Sequence, residues 1–270
     1  MNKLKKFFIR ILKLVQLDEM VFLPAHLAFY LIFLIIPIIS FIGIITNKIN
    51  ISDNTFLLNN NIPNDISNLI LNANKINYNN FNMILFLIIS LYIASQGSNA
   101  IIVSSNILFK IKENNSIKIR IKSIFLTVVL FILIAFMVMV PVLGDLIVNF
   151  ITNYLRENGE ILVLNIYNLL KYPLSIILIF MLIKIIYILA PTIDIPSKYM
   201  NNGAIFTTIM WLIISRVYSM YLNNFNNYNL YYGSFSIILI LLIWVYLLSY
   251  IFVIGMALNA DNYLVSTKND

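Results

Sequence analysis

Hydroxyl and amide side chains interrupt an apolar stretch of the chain around Gly97. They recur three, four and seven residues apart, spacings that place them on one face of a helix. An amide in an apolar helix is costly unless it has a hydrogen-bond partner. We therefore expect this polar face to point toward other helices, where it either joins them by hydrogen bonds or lines a path for a substrate. Its members are Ser95, Ser98, Asn99, Ser105 and Asn106.

Two cations also lie within apolar stretches. Lys184 interrupts 172–190, and Arg216 interrupts 203–222. At about 1.5 Å of rise per residue, Lys184 lies roughly 18 Å from the start of its stretch and Arg216 roughly 20 Å from the start of its own. Charges at such depth are rare in membrane helices and mark substrate paths, unless a long side chain reaches the nearer interface. Both interpretations stay open at this point.

The same helical rise per residue gives the depth of the other polar groups in the membrane. Asp145 falls roughly 31 Å into its stretch, near the outer boundary, where a pair with Arg216 is geometrically compatible. The polar face, Tyr30, Asn259 and Lys184 fall on the inner side. From these two sets we infer a cavity within a helix bundle, whose fixed positive charges favour an anionic substrate such as a lipid headgroup. The alternative is that Lys184 and Arg216 only fix the depth of their helices.

The residue types argue against catalysis and metal binding. The chain has no cysteine and a single histidine, His26, which excludes thiolate sites and multi-histidine metal centres. The eleven acidic residues are scattered over termini and loops, and no two share the local motif that phosphodiester hydrolysis needs. We expect no catalytic residue, no metal and no cofactor, and hence no enzyme.

Composition places the chain among membrane proteins. Of its 270 residues, 61% are hydrophobic and 11% are charged, whereas soluble domains carry about 25% charged residues. The net charge of +7 is spread beside apolar stretches and does not form one basic face, so nucleic acid is not an expected partner. Membrane lipids, anionic ones in particular, are the expected partners, and no oligomeric state is predicted.

Six apolar stretches match the length needed to cross a hydrocarbon core about 30 Å thick. The predicted fold class is therefore an all-α membrane protein, with 1–270 forming one six-span domain. Residues 1–19 place basic and apolar side chains on opposite sides, which predicts an interfacial amphipathic helix on an anionic leaflet, or else a plain cytoplasmic flank. The predicted spans are 21–46, 81–109, 124–149, 172–190, 203–222 and 234–260, with a mostly polar connection over 150–171.

The distribution of Lys and Arg orients the spans. With both termini on one side, that side holds twelve of the eighteen basic residues and the other side holds four. Basic residues are in excess in the cytoplasmic flanks of membrane spans. We therefore predict a multi-pass protein of the cytoplasmic membrane with both termini in the cytoplasm.

Several short motifs point to a family. The C-terminal third carries Tyr221-Leu-Asn-Asn-Phe-Asn-Asn-Tyr-Asn-Leu-Tyr-Tyr-Gly-Ser, then Trp244, then Gly255-Met-Ala-Leu-Asn-Ala. Upstream stand Ala28-Phe-Tyr, Ala94-Ser-Gln-Gly and Gly203-Ala. With these motifs in this order, the chain resembles the YihY/BrkB family of six-span bacterial inner-membrane proteins. The residues that the resemblance marks as structural are Pro37, Gly97, Pro191, Gly203, Tyr228, Tyr232, Gly233 and Gly255.

The resemblance implies an inner-membrane location, and none of its motifs is a catalytic signature, although a ribonuclease label was once attached to the family. Two positions depart from the family pattern. Ala257 stands where relatives often carry a glutamate, and Gln96 stands where they usually carry a basic residue. The expected function is transport or translocation of an anionic lipid or small anionic substrate. The alternative is a membrane protein that organises envelope partners without transport.

Overall fold

The computed structural model describes residues 3–32, 80–113, 115–133, 157–224 and 235–269. Within these segments every regular element is helical, which confirms the all-helical prediction for the described part of the chain. The elements are α1 (Lys3–Val15), α2 (Glu19–Ile32), α3 (Asn80–Leu108), α4 (116–133), α5 (Glu157–Leu189), a short 3-10 helix (Ser197–Met200), α6 (Asn201–Asn224) and α7 (Phe235–Asn269).

Some of these helices have the length and apolarity of membrane spans. Ser197–Tyr221 and Leu239–Thr267 both qualify, and a third span is added if Ile9–Val15 and Glu19–Ile32, bent by 73°, are treated as one. Pro173–Leu189 is apolar but shorter. These spans support the predicted membrane character. Several residues singled out in the sequence lie outside the described segments, namely Pro37, Asp145, Tyr228, Tyr232 and Gly233.

Two helices extend beyond the predicted spans. α5 begins at Glu157, so the second half of the predicted connection is helical and Pro173 lies inside the helix. An interior proline removes one backbone hydrogen bond, a loss that membrane helices tolerate when neighbouring groups satisfy the freed carbonyl. α7 continues to Asn269, because neither glycine nor proline follows Gly255 to stop it.

The core lies where α5, α6 and α7 pack together and α2, α3 and α4 cover them. Large apolar side chains fill it, and they are almost fully buried. α6 and α7 form the most extensive helix pair. The indole of Trp211 links them at one position, where its Nε1–H donates to the carbonyl of Leu248 at 2.9 Å. The core includes Leu23, Leu27, Ile102, Leu126, Ile183, Met200, Met256 and Leu258.

α1 is fixed to the other helices by polar and aromatic contacts. Arg10 forms an ion pair with Asp261 of α7. The ring of Phe7 meets the ring of Phe206 of α6 edge to face, with centroids 6.3 Å apart. α1 therefore lies across the start of α6 and the C-terminal part of α7.

The apolar side of α1 is partly covered by the protein itself. Leu14 is buried, and Ile11 and Val15 pack against the core. Leu12, at the edge of this side, is 61% exposed, and Lys13 on the basic side is exposed as well. The predicted amphipathic helix thus divides its apolar residues between the protein and its surroundings.

One end of the molecule, here called the basic end, is built from α1, the α3–α4 turn (109–115), the first two turns of α4, the α5–α6 link (190–200) and the C-terminal part of α7. Aromatic contacts join these parts, since the ring centroid of Tyr263 lies 6.1 Å from that of Phe109 and 5.6 Å from that of Tyr199. Segments far apart in sequence therefore present their charges together. Its exposed basic residues include Lys5, Lys13, Lys110, Lys112, Lys118 and Lys198.

Candidate functional site

The polar face of α3 is joined to α4 by side-chain hydrogen bonds. The hydroxyls of Thr127 and Ser98 lie 2.8 Å apart, and the hydroxyl of Ser123 lies 3.3 Å from the amide oxygen of Asn99. Thr127 and Ser123 also donate to backbone carbonyls of their own helix, each at 2.7 Å. Ser98, Ser123 and Thr127 are fully buried. In these contacts the polar face serves to hold two helices together.

Other members of the polar face have a different environment. The hydroxyl of Ser95 donates to the carbonyl of Tyr92 in its own helix at 2.6 Å. The hydroxyl of Ser105 is buried and has no hydrogen-bond partner among the described residues. Gly97 is buried beside them, whereas Gln96, at the position where relatives usually carry a basic residue, is half-buried.

Asn106 and Lys122 hold the α5–α6 link in place. The amide oxygen of Asn106 accepts hydrogen bonds from both the backbone N–H and the hydroxyl of Thr192, each at 3.1 Å. The ammonium group of Lys122 donates to the carbonyl of Pro191. Since Asn106 lies in α3 and Lys122 in α4, these two contacts fasten the link to the helix pair that carries the polar face.

Two charged groups at the basic end depart from their ordinary pKa. Burial lowers the pKa of Lys122, against the opposing effect of the nearby Asp194 carboxylate. Hydrogen bonds from the ammonium of Lys118 and the backbone N–H of Asn115 lower the pKa of the Glu113 carboxyl. Their lengths are 2.8 Å and 3.2 Å. The α3–α4 turn thus has its own charge pairing.

α5, α6 and α7 meet at two glycines. A Cβ on Gly255 would lie 2.5 Å from the hydroxyl of Tyr187 and 2.9 Å from the carbonyl oxygen of Gly203. A Cβ on Gly203 would lie 2.6 Å from the side-chain amide of Asn259 and would press against the carbonyl of Gly255. Only a residue without a Cβ fits either position, because the two backbones are in contact there.

Hydrogen bonds complete this glycine junction. The amide oxygen of Asn259 accepts the backbone N–H of Gly203 at 2.7 Å, which satisfies one of the free donors at the start of α6. The hydroxyl of Tyr187 donates to the carbonyl of Phe252 at 2.7 Å and lies 2.7 Å from the hydroxyl of Thr207. Tyr187 and Asn259 are buried almost completely. Asn259 therefore acts as a structural residue of the junction.

The predicted intramembrane cations have no carboxylate partner among the described residues, where the ion pairs are those of Arg10 and Lys118. Lys184 is half-buried on α5, and Arg216 is exposed on α6. Asp145, the predicted partner of Arg216, lies outside the described segments. Tyr30 is half-buried on α2.

Arg120 is not among the predicted site residues. It lies in the second turn of α4, and its guanidinium carbon is 4.4 Å from the ring centroid of Tyr92. Its Nη2 atom is buried and has no hydrogen-bond partner in the described part of the chain. The available signal was periodicity, because Ile117 and Ile121 already begin the apolar face of α4 on either side of this arginine.

These features define a class of protein. Helices of membrane length pack by backbone contact at glycine and by buried hydroxyl and amide groups, which are the means by which membrane helices associate. In the segments that the structure describes, no three His, Cys, Asp or Glu side chains are grouped as a metal site would require. The class is that of helical multi-pass membrane proteins.

Comparison with known families narrows this class. The family model described as virulence factor BrkB matches residues 11–268, nearly the whole chain. The chain belongs to the BrkB family. The predicted family resemblance is thereby confirmed.

Relatives of known sequence carry two kinds of name. A Bacillus subtilis protein named putative ribonuclease-like protein YfkH is 32% identical over 175 residues, which cover 64% of this chain and 63% of that protein. A UPF0761 membrane protein of Photobacterium profundum is 28% identical over 28% of this chain and 24% of its own length. One of Alteromonas mediterranea is 35% identical over 23% of this chain and 21% of its own. The matched part thus spans less than two thirds of each relative, and no solved structure matches the chain.

The glycine junction gives a first prediction. Gly255→Ala places a methyl group against Tyr187 and Gly203, so we expect a loss of stability of about 1–3 kcal/mol from overpacking. The measurement is the apparent melting temperature of the detergent-solubilised protein, followed by size-exclusion chromatography after heating. The matched control is Asn202→Ala, at an exposed position next to Gly203. An unchanged melting temperature for Gly255→Ala would contradict the backbone contact.

Proposed function

We propose that the chain is a six-span protein of the cytoplasmic membrane with both termini in the cytoplasm. The basic end supports this orientation. It gathers α1, the α3–α4 turn and the α5–α6 link, whose exposed lysines belong to the twelve basic residues assigned to one side. Segments rich in Lys and Arg stay on the cytoplasmic side of membrane spans.

Cysteine labelling tests this topology, since the natural chain has no cysteine. We expect Asn60→Cys, in the predicted outer loop, to react with a membrane-impermeant maleimide in intact spheroplasts. We expect Lys112→Cys, exposed in the α3–α4 turn, to react only after permeabilisation. The reverse pattern would invert the orientation, and labelling of both positions in intact spheroplasts would contradict the six-span arrangement.

We further propose that the protein translocates an anionic substrate, with a lipid headgroup as the best candidate. Lys184 carries this proposal. It is a half-buried cation within the apolar part of α5, and no carboxylate pairs with it in the described segments. An intramembrane cation is retained in spite of its desolvation cost when it serves a path or a ligand. Its Nζ lies 5.9 Å from the ring centroid of Phe180, a contact that leaves the charge available to an anion.

The exposure of Arg216 favours a lipid over a small soluble anion. Arg216 lies on a side of α6 where Ile209, Ile213, Val217 and Met220 are also exposed, as expected for a face in contact with lipid. A lipid in the membrane can contact a charge on that face directly. When a lipid headgroup moves past Lys184 and Arg216, the acyl chains of that lipid stay in the hydrocarbon core. The protein therefore needs to shield only the headgroup. On this proposal the predicted central cavity is replaced by a path at the membrane-facing flank.

Translocation is measured with purified protein reconstituted in liposomes that contain a fluorescent phosphatidylglycerol. We expect Lys184→Leu and Arg216→Leu each to slow transfer between leaflets about tenfold, which corresponds to about 1.4 kcal/mol in the barrier, and the double variant to slow it further. Lys198→Leu is the control, because it removes an exposed charge beyond the membrane-facing part of α6. Wild-type transfer by the double variant, in stably expressed protein, would refute the proposal.

A second candidate is a membrane protein that organises lipids or envelope partners without moving a substrate. Two observations favour it. The buried amides of Asn106 and Asn259 are used for helix contacts, and α1 presents Lys5 and Lys13 at the surface. If the wild-type protein does not move lipid while Lys5→Gln and Lys13→Gln together abolish its cellular effect, this candidate replaces the first.

We also propose that the protein is not an enzyme, in spite of the name of the Bacillus subtilis relative. Two acidic residues of the basic end form ion pairs, namely Asp261 with Arg10 and Glu113 with Lys118. Carboxylates held in this way are poor ligands for a catalytic metal ion. We expect the purified protein to leave a labelled RNA intact with and without Mg²⁺. Cleavage that follows the protein through purification and is abolished by Asp261→Asn would overturn this proposal.

A further inference from the structure

We propose that Arg120 and Tyr92 form a binding site for the phosphate group of an anionic lipid in the leaflet next to the basic end. The inference rests on the proposed function, because it names the place where a lipid substrate first contacts the protein. Arg120 lies in the second turn of α4, just before the predicted span 124–149, so it lies at the depth of lipid headgroups.

The guanidinium of Arg120 is held by one aromatic ring and has one donor atom without an acceptor in the described part of the chain. The guanidinium stacks on the Tyr92 ring at 4.4 Å, which fixes its plane. The buried Nη2 atom has no acceptor among the described residues, and a buried donor without an acceptor costs about 1–3 kcal/mol. Because protein atoms cover Nη2, a phosphate reaches it when the long arginine side chain shifts outward. A phosphate oxygen is then the acceptor that a guanidinium fits best, through paired N–H···O bonds.

The neighbouring lysines of α4 already have partners within the protein. Lys118 pairs with Glu113 at 2.8 Å, and Lys122 donates to the carbonyl of Pro191. Arg120 lies between them in sequence, and its Nη2 is the donor left without an acceptor. Because each lysine is held by a partner within the protein, neither competes with Arg120 for a ligand.

The surroundings of the site suit a lipid better than a soluble phosphate. Ile117, Ile121 and Phe125 of α4 are 72%, 65% and 57% exposed, and Ile88 and Ile89 of α3 are 64% and 50% exposed. Apolar residues in such numbers belong at a surface covered by acyl chains. Tyr92 is itself 59% exposed, so its ring separates the guanidinium from this apolar surface. A lipid whose headgroup binds Arg120 therefore places its acyl chains on the exposed apolar surface of α3 and α4.

The site is tested by lipid retention. Full-length protein is reconstituted in nanodiscs of phosphatidylcholine with a minor fraction of phosphatidylglycerol, extracted in mild detergent, and analysed by native mass spectrometry. We expect Arg120→Gln to retain about tenfold less phosphatidylglycerol than the wild type, and Arg120→Lys to fall between them because it keeps the charge but loses the paired geometry. Lys118→Gln, which removes a neighbouring charge of the same helix, should retain wild-type amounts.

Two further arms decide the source of the phosphate and the role of the ring. Inorganic phosphate in excess should leave the bound lipid in place, and displacement by it would assign the site to a soluble anion. Tyr92→Leu, which keeps the apolar surface, should weaken retention because the guanidinium loses its stacking partner. Equal retention by wild type, Arg120→Gln and Tyr92→Leu, each with a wild-type melting temperature, would overturn the site.

Failure of this site and failure of the proposed function give different results. If Arg120→Gln keeps both lipid retention and transfer between leaflets, the site is refuted and translocation stands. If the wild type retains phosphatidylglycerol through Arg120 but does not transfer it, the site stands and translocation is refuted. In that second case the bound lipid belongs to the organising role.

Discussion

Backbone contact between α6 and α7 at Gly203 and Gly255 is the constraint on which the rest of the structure depends. Without side chains between them, the two helices come close enough for the Asn259 amide to reach the start of α6 and for Tyr187 of α5 to reach between them. Hydrophobic burial cannot hold helices together in a bilayer, because lipid tails are as apolar as leucine. Close packing and interior hydrogen bonds must do so, and this junction supplies both.

The hydrogen bonds also separate structural polar groups from those available for function. Asn106, Asn259 and Thr127 have partners inside the protein, and each joins two parts of the chain that are distant in sequence. Lys184 and Arg120, in contrast, lack a carboxylate within the described segments. In a medium of low dielectric constant an unmatched donor or charge is expensive. This contrast is the basis on which we propose an anionic lipid as the ligand.

The sequence predicts the helical class and the family because both follow from local patterns. Apolar length, the polar face around Gly97 and the glycine motifs are all visible in one dimension, and Asn106 and Asn259 were singled out on that basis. Their exact roles were not predictable, since a helical spacing shows which way an amide points but not which helix it meets. The start of α5 at Glu157 was not predicted, because 150–171 was treated as a mostly polar connection between spans.

Arg120 shows the same limit for a charged residue. In sequence it is one of five basic residues in a loop-like segment, with nothing to distinguish it from Lys118 or Lys122. The distinction arises from their partners, which are Glu113 in the same segment, Pro191 in the α5–α6 link and Tyr92 of α3. Periodicity places Arg120 on a helix, but the contacts with Pro191 and Tyr92 depend on the fold and are not visible in the local sequence.

The ion pair between α1 and α7 has a consequence for the making of the protein. Arg10 and Asp261 are 251 positions apart, so the ribosome must synthesise α6 and most of α7 before Arg10 can meet its ionic partner. Until then α1 can rest on the leaflet by its own amphipathic character. Docking of α1 on α7 therefore follows the synthesis of α7, and a chain that stops before Asp261 leaves its first helix without this ionic partner.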